Sequence, residues 1–480
     1  MTRPNILFLF TDQQRADTVA ALGNPIIRTP HLDRLCREGT AFTRAYTPSP
    51  VCISARYALA TGLPPHVTGI TDNCDAPAKH PSFMQRLAGL GYQTHGVGKM
   101  HFAPMKEMWG FQSRDFSEEG GGQDDYRAFL DANGYSHVRD PHGVRSEYYY
   151  IPQPSQLPAR LHNTAWVADR SVAFLERRDR SRPFFLWSSF IKPHPPFENP
   201  APWNKLYRCS QMPAPHIPPG SDDLLTYWNR VQNRYKYHDA GRDELLDRTR
   251  IAAYYGCISF IDYHVGRILA ALGPDADNTL IVYSSDHGEL LGDYGSVGKR
   301  CMLDAACRIP LLARWPGKMP GGKTVTNPAS LIDVFPTVLQ AAGATDCRAH
   351  EDGESLLDLA AGKATRTVVT SQFQSRGYAL HMAASRDAKY IYSAPDQREW
   401  HLDARDVPNA LVPALREELR RRHGEWPGYK KRSIPADKDA GLLYQDPPGT
   451  QESVDALGPD YARKVTLPVT EATQLLRTEE

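Results

Sequence analysis

Asp12, Cys52, Arg56, Lys99, His101, His194, Asp286 and His287 lie just after segments that read as buried strands or where a loop enters a helix. Two carboxylates, three imidazoles, two cations and a thiol are the parts of a pocket that hydrolyses an anionic ester with the help of a metal ion. In such a pocket the carboxylates hold a divalent cation and the positive side chains neutralise the ester oxygens. An imidazole or ammonium then gives the leaving oxygen its proton. These positions are far apart in the chain, so only a fold that gathers strand ends makes one pocket of them. An open α/β sheet does this, because its ligands bind outside the carboxyl ends of the strands.

The elements required to place these side chains are legible. Asn5 to Phe10 (NILFLF) reads as a central buried strand and runs into Thr11 and Asp12. Tyr92 to Gly98 runs into Lys99 and His101, Phe184 to Phe190 into the loop with His194, and Leu280 to Ser285 into Asp286 and His287. Ile309 to Trp315 is a further run closed by Pro-Gly. Helical patterns lie between them at His31 to Glu38, Pro81 to Leu90, Thr164 to Arg177 and about Leu245 to Leu272. Alternating strands and helices predict an α/β fold, a large mostly parallel sheet sandwiched by helices, over residues 1–365. From 366 to 440 short strands and a helix from about Ala410 to His423 predict a smaller α+β subdomain on an antiparallel sheet. Residues 441–480 carry little periodicity and are expected to be an extension over the surface or onto a partner subunit of a homo-oligomer.

Composition narrows the function. A chain of 480 residues with a formal net charge of +1 is no polyanion binder driven by bulk charge, so nucleic acid is not an expected partner. The apolar run in MTRPNILFLF is stopped too soon by Asp12 for a signal-peptide core, and no stretch approaches a membrane span. A cytoplasmic protein is the expectation. The eight cysteines have no CxxC and no framework spacing, which reads as reduced thiols.

Asp12 with Gln13, and Asp286 with His287, form two strand ends rich in oxygen donors, which suits calcium, magnesium or manganese better than a structural zinc. Taken singly, Asp12 serves equally well as a helix cap and Asp286 as a turn residue. Cys52 lies in SPVCISARYALATG, where a loop enters a helix that carries Arg56 one turn later. A helix N-terminus and a guanidinium both favour a reactive sulfur or a bound oxyanion there, whereas an isolated cysteine is ordinarily a small buried hydrophobe. Lys299, in GSVGKR, adds a cation near His287 unless it is a solvated loop lysine.

The stretch TPHLDRLCREGTAFTRAYTPSPVCISARYALATG, together with GVGKMHF and SSDHGELLGDYG, resembles the sulfatase family of the alkaline phosphatase superfamily. The resemblance continues through YYGCISFIDYHVGRIL and RIPLLARWPG to REWHLDARDVPNAL, and is nearest in pattern to choline-sulfatase-like and phosphonate-monoester-hydrolase-like members. It implies an alkaline-phosphatase-like fold and a metal site at Asp12, Gln13, Asp286, His287 and residue 52, filled by one divalent cation, usually calcium, with manganese or magnesium as alternatives. It also implies that Cys52 is oxidised to formylglycine by a formylglycine-generating enzyme. The hydrated aldehyde would attack sulfur while Arg56 and Lys99 hold charge, His194 and Lys299 assist the leaving alcohol, and His101 takes the proton that lets sulfate depart. Asn73, with Asp72 beside it, is a substrate-contact candidate. The implied substrate is a small-molecule or saccharide sulfate ester. One departure stands out: the family's Cys-x-Pro-x-Arg signature reads Cys52, Ile53, Ser54, Ala55, Arg56 here. Two further readings therefore stay open, a phosphonate monoester or phosphodiester hydrolase using the same site, and a non-catalytic anion-binding homologue with an unconverted Cys52.

Overall fold

The structure, a computed structural model, describes residues 3–119, 124–145, 149–226, 229, 243–375, 378–393, 398–410 and 412–423, so the expected extension 441–480 lies outside the described residues. Eight strands form the main sheet: β1 (Asn5–Asp12), β2 (Thr40–Phe42), β3 (Gln93–Gly98), β4 (Ser113–Phe116), β5 (Phe184–Pro193), β6 (Thr279–Ser285), β7 (Leu311–Arg314) and β8 (Lys323–Val325). Their spatial order is β8-β2-β7-β6-β1-β5-β3-β4. β1 lies between β5 and β6 and is parallel to both, with Leu7 opposite Leu186 on one side and Ile281 on the other. The carboxyl ends of β1, β3, β5 and β6 therefore meet at one edge.

The apolar runs become buried strands because both faces of the sheet are covered. Ile6, Phe8 and Phe10 pack with Trp187 and Phe185 against Leu59 of α2 (Cys52–Thr61), Phe83 and Leu87 of α4 (Phe83–Gly89) and Phe335 of α7 (Val334–Ala341). The alternate residues Leu7 and Leu9 face Val167 and Leu175 of α5 (Asn163–Arg177) and Val265 and Ile268 of α6 (Glu244–Ala271). Side chains alternate across a strand, so one run of hydrophobic residues supplies two cores. The run expected at 309–315 is the strand β7, and it pairs antiparallel with β6, Leu312 opposite Tyr283. The segment 286–310 stays at the carboxyl end of β6 and contains only short helical turns, so the chain re-enters the sheet from that end.

The C-terminal sheet is an antiparallel meander of β9 (Val369–Ser375), β10 (Tyr378–Ala384), β11 (Ala388–Ser393) and β12 (Arg398–Asp403), and α8 (Pro413–His423) packs on it. Phe373, Leu380 and Met382 of this sheet share a core with Tyr46 and Val51, the residues leading to Cys52. Gln372 N–H donates to Pro48 O at 2.9 Å. Among the described residues no helix is long and apolar enough to cross a membrane.

Candidate active site

Cys52 is the first residue of α2, a helix whose ten residues are all buried. Val51 before it is extended and offers no side-chain cap, but Asn73 Oδ1 accepts the Ile53 N–H at 3.0 Å. The first turn of this helix thus brings amide dipoles and Arg56, one turn on, to the same edge of the sheet.

Arg56 ties the strand ends together. Its Nε donates to Asp286 Oδ2 at 2.9 Å, its Nη2 to Asp12 Oδ2 at 3.1 Å, and its Nη1 to Lys99 O at 2.6 Å and Ser189 Oγ at 3.1 Å. Lys99 Nζ lies 2.5 Å from Asp12 Oδ2 and also pairs with Glu119. Lys299 is buried, with Nζ 2.8 Å from Gln13 Oε1, 2.9 Å from Cys52 Sγ and 2.9 Å from His287 Nε2. Cys52 Sγ is 3.2 Å from His287 Nε2 and 3.8 Å from Asp12 Oδ1. His287 Nδ1 is 3.0 Å from Gly288 O, an acceptor, so this nitrogen carries a proton and Nε2 faces the pocket.

The electrostatics follow from this crowding. Burial and Asp12 push the Cys52 thiol up, but Lys299, Lys99 and His287 outweigh them and hold it well below the ordinary thiol range. Burial also opposes ionisation of Asp12, yet Lys99, His194, Lys299 and Arg56 hold it well below the usual carboxylate range. Asp286 is pushed up by burial and by its neighbour Asp12, against His287 and Arg56. Two carboxylates that raise one another's cost of ionisation in a buried site are relieved by a cation between them. The donor set fits one: ligating atoms of Asp12, Cys52, Asp286 and His287, all buried, lie within 4.8 Å of one another. Gln13 flanks this group, its backbone N–H donating to Asp286 Oδ1 at 2.9 Å.

Asp12, Gln13, Cys52, Arg56, Lys99, Asp286, His287 and Lys299 are thus brought into one cluster. His194 borders it, buried, with Nδ1 2.8 Å from Pro195 O and 3.5 Å from Glu119 Oε1. His101 has left-handed backbone (φ 55°), its N–H donates to Glu118 Oε1, and its Nδ1 is a buried atom with no hydrogen-bond partner among the described residues. Asn73 acts on the first turn of α2, and Asp72 Oδ1 accepts from Arg300 Nη2 at 3.1 Å.

The sequence reading did not single out Glu119, Arg145, Tyr150 or Glu289. Glu119 sits between Lys99, His194 and Arg145, whose Nη2 is 2.8 Å away. Glu289 Oε2 accepts from Gln13 Nε2 and, at 2.8 Å, from the Tyr150 hydroxyl, fixing the Gln13 side chain. The available signals were slight: a Glu-Glu pair before a Gly run at 118–122, and a glutamate two residues after His287.

Comparison with known proteins gives the same picture. The sulfatase family model matches residues 4–344. An arylsulfatase of Clostridium perfringens is 28% identical over 451 residues, covering 87% of this chain and 91% of its own. A choline-sulfatase of Rhizobium meliloti is 29% identical over 420 residues, covering 83% and 80%. The fold is that of a phosphonate monoester hydrolase of Agrobacterium radiobacter, with a TM-score of 0.75, 24% identity and coverage of 88% of this chain and 96% of that one. A family match spanning most of the chain, on a fold that gathers the strand ends described above, leads to one conclusion: the chain belongs to the sulfatase family of sulfuric ester hydrolases, within the alkaline phosphatase superfamily.

Proposed function

We propose that the chain hydrolyses a small-molecule or saccharide sulfate ester at this pocket, with residue 52 as nucleophile after its thiol is converted to formylglycine. The observation that carries this reading is the position of Cys52 Sγ, 2.9 Å from Lys299 Nζ and 3.2 Å from His287 Nε2, at the mouth of a helix that also holds Arg56. Asp12, Asp286, His287, the Gln13 side-chain oxygen and residue 52 would hold one divalent cation, calcium first among the candidates. When bound, it supplies charge neutralisation at the ester oxygens. Conversion and hydration of the aldehyde would supply an oxygen nucleophile in place of sulfur.

The other steps belong to the chain's own side chains. Arg56 and Lys99 orient the two aspartates and place positive charge where ester oxygens lie. Lys299 faces residue 52 and neutralises charge there as the bond to the leaving group lengthens. His194, as the imidazolium, gives the leaving oxygen its Nε2 proton, and its Nδ1–H bond to Pro195 O fixes the ring for that transfer. His101, whose Nδ1 has no hydrogen-bond partner among the described residues, takes a proton from residue 52 as sulfate leaves. In this reading residues 1–365 are the catalytic unit, and the described part of 366–440, which ends at residue 423, supports the loop that enters α2.

The sequence departure at residue 54 has a structural counterpart. The Ser54 hydroxyl donates to Ile70 O at 2.6 Å, so serine is well accommodated in the folded chain. Proline would matter to the converting enzyme, which reads the segment while it is extended. The test is to produce the protein with a formylglycine-generating enzyme, weigh the peptide containing residue 52, and assay aryl sulfate, phosphodiester and phosphonate monoester side by side. Replacement of sulfur by oxygen with sulfate as the best substrate is expected. A preference of orders of magnitude for either phosphorus ester makes the chain a phosphonate monoester or phosphodiester hydrolase instead. An intact thiol without turnover makes it an anion-binding homologue.

A further inference from the structure

A second group of ligating side chains lies outside that pocket. His66 of α3 (Pro65–Thr68), together with His350 and Asp352 from the loop after α7, brings one ligating atom each to within 4.8 Å of the others. We propose that these three side chains form a second metal site, for a divalent transition ion of the zinc class, with His423 at its open side. The proposal does not depend on the ester-hydrolase reading.

Hydrogen bonding inside the group is the first argument. Asp352 N–H donates to His350 Nδ1 at 3.2 Å, so that nitrogen carries a lone pair and no proton. It therefore cannot donate to Asp352 Oδ2, which lies 3.5 Å from it. The Nδ1 lone pair is taken by that N–H, so Asp352 Oδ2 is left facing the group without a hydrogen-bond donor among the described residues. Asp352 is 6% exposed, and both its Oδ2 and the His66 Nδ1 are buried atoms with no hydrogen-bond partner among the described residues. Each such orphan destabilises the folded chain unless something answers it. Arg422 pairs with the other carboxylate oxygen, Oδ1, and leaves Oδ2 to the site.

Donor chemistry then selects the ion. Two imidazoles and one carboxylate suit zinc with a fourth position open, and suit calcium or magnesium poorly. The His423 ring centroid is 4.6 Å from that of His66, and His423 Nδ1 is 3.0 Å from His381 Nδ1. The elements are distant in sequence: α3 follows the helix of Cys52, His350 follows α7, His381 is on β10 and His423 ends α8. A metal here would clasp the C-terminal unit to the helices that carry the pocket.

The test uses the full chain, saturated with calcium and titrated with zinc against a competing chelator. One zinc per chain is expected, with an affinity that falls about 100-fold or more in His350→Ala and in Asp352→Asn, beyond the effect of losing a mere supporting partner. Ester hydrolysis in calcium buffer should stay within about twofold of the parent, because neither residue touches the pocket. Zinc binding equal in the parent and both variants overturns the proposal, as does zinc that disappears in Asp286→Asn and is untouched by the other two substitutions. Should either variant fail to fold, cobalt in the unaltered chain decides: intense visible absorption of a four-coordinate site supports the proposal, and its absence overturns it.

Discussion

Lys299 is the residue on which the pocket's charge balance turns. Its ammonium is buried and reaches Gln13, Cys52 and His287 at 2.8 to 2.9 Å. Lys299→Met keeps the aliphatic stem and removes the charge. We expect kcat/KM for an aryl sulfate to fall by about 10²–10³-fold, the scale of losing one electrostatic stabiliser of a developing anion. Melting should move little, since the stem still fills its space. Steady-state kinetics beside calorimetry checks this, and an unchanged kcat/KM would remove Lys299 from the reaction. In sequence this residue is a lysine in a glycine-containing loop without periodicity, so nothing local distinguished a buried pocket lysine from a solvated one. Cys52 was easier, because Arg56 one turn later marks the same helix face.

At the scale of elements, the turn after β3 decides where Lys99 points. Gly98 has φ +85°, and a Cβ built there would lie 2.1 Å from Ser189 O on β5. Gly98→Ala therefore forces either the backbone torsion or the spacing of β3 and β5 to change. We expect a loss of roughly 1–3 kcal/mol in urea unfolding, together with a fall in activity larger than that stability loss explains, because Lys99 moves with the turn. Full activity in the alanine variant would show that the turn does not position Lys99. Strands β1, β5 and β6 were readable as runs of apolar residues, since each is buried on two faces, whereas β3, QTHGVG, is buried with valine as its one large apolar residue. β2 and β8, of three residues each, carry no pattern long enough to read, and the antiparallel direction of β7 depends on where its connection runs.

Across the whole molecule, buried histidines set the response to acid. His264 in α6 is held down to about 3 by burial first, then by Arg267 and His162. Its folded value lies below the unfolded value of about 6.5, so the unfolded chain binds the proton more readily between the two. The stability it contributes is complete above about pH 6.5 and is lost as pH falls towards 3. At pH 5 the loss from this one residue is about 2 kcal/mol. His264→Gln should shrink the difference between urea stabilities at pH 7 and pH 5 by that amount, and an unchanged difference would show that the ring is already charged in the native state. Acid sensitivity of this kind arises in the α6 layer and is separate from the pH dependence of the pocket.

Local chemistry is enough to fix which residue types meet a tetrahedral anion and which segments become strands, because burial on two faces writes a continuous apolar run and a strand end must stop in something polar. The sequence therefore determined the α/β architecture, the strand ends that carry Asp12, Lys99 and Asp286, and the helix that carries Cys52. Only the tertiary structure decided that Lys299 is buried against Cys52, that Asn73 supports a helix turn, and that Glu119 and Glu289 line the cluster. Those facts depend on how loops from different strands pack across one sheet edge, and a contact between residues hundreds of positions apart leaves no periodic trace in either segment.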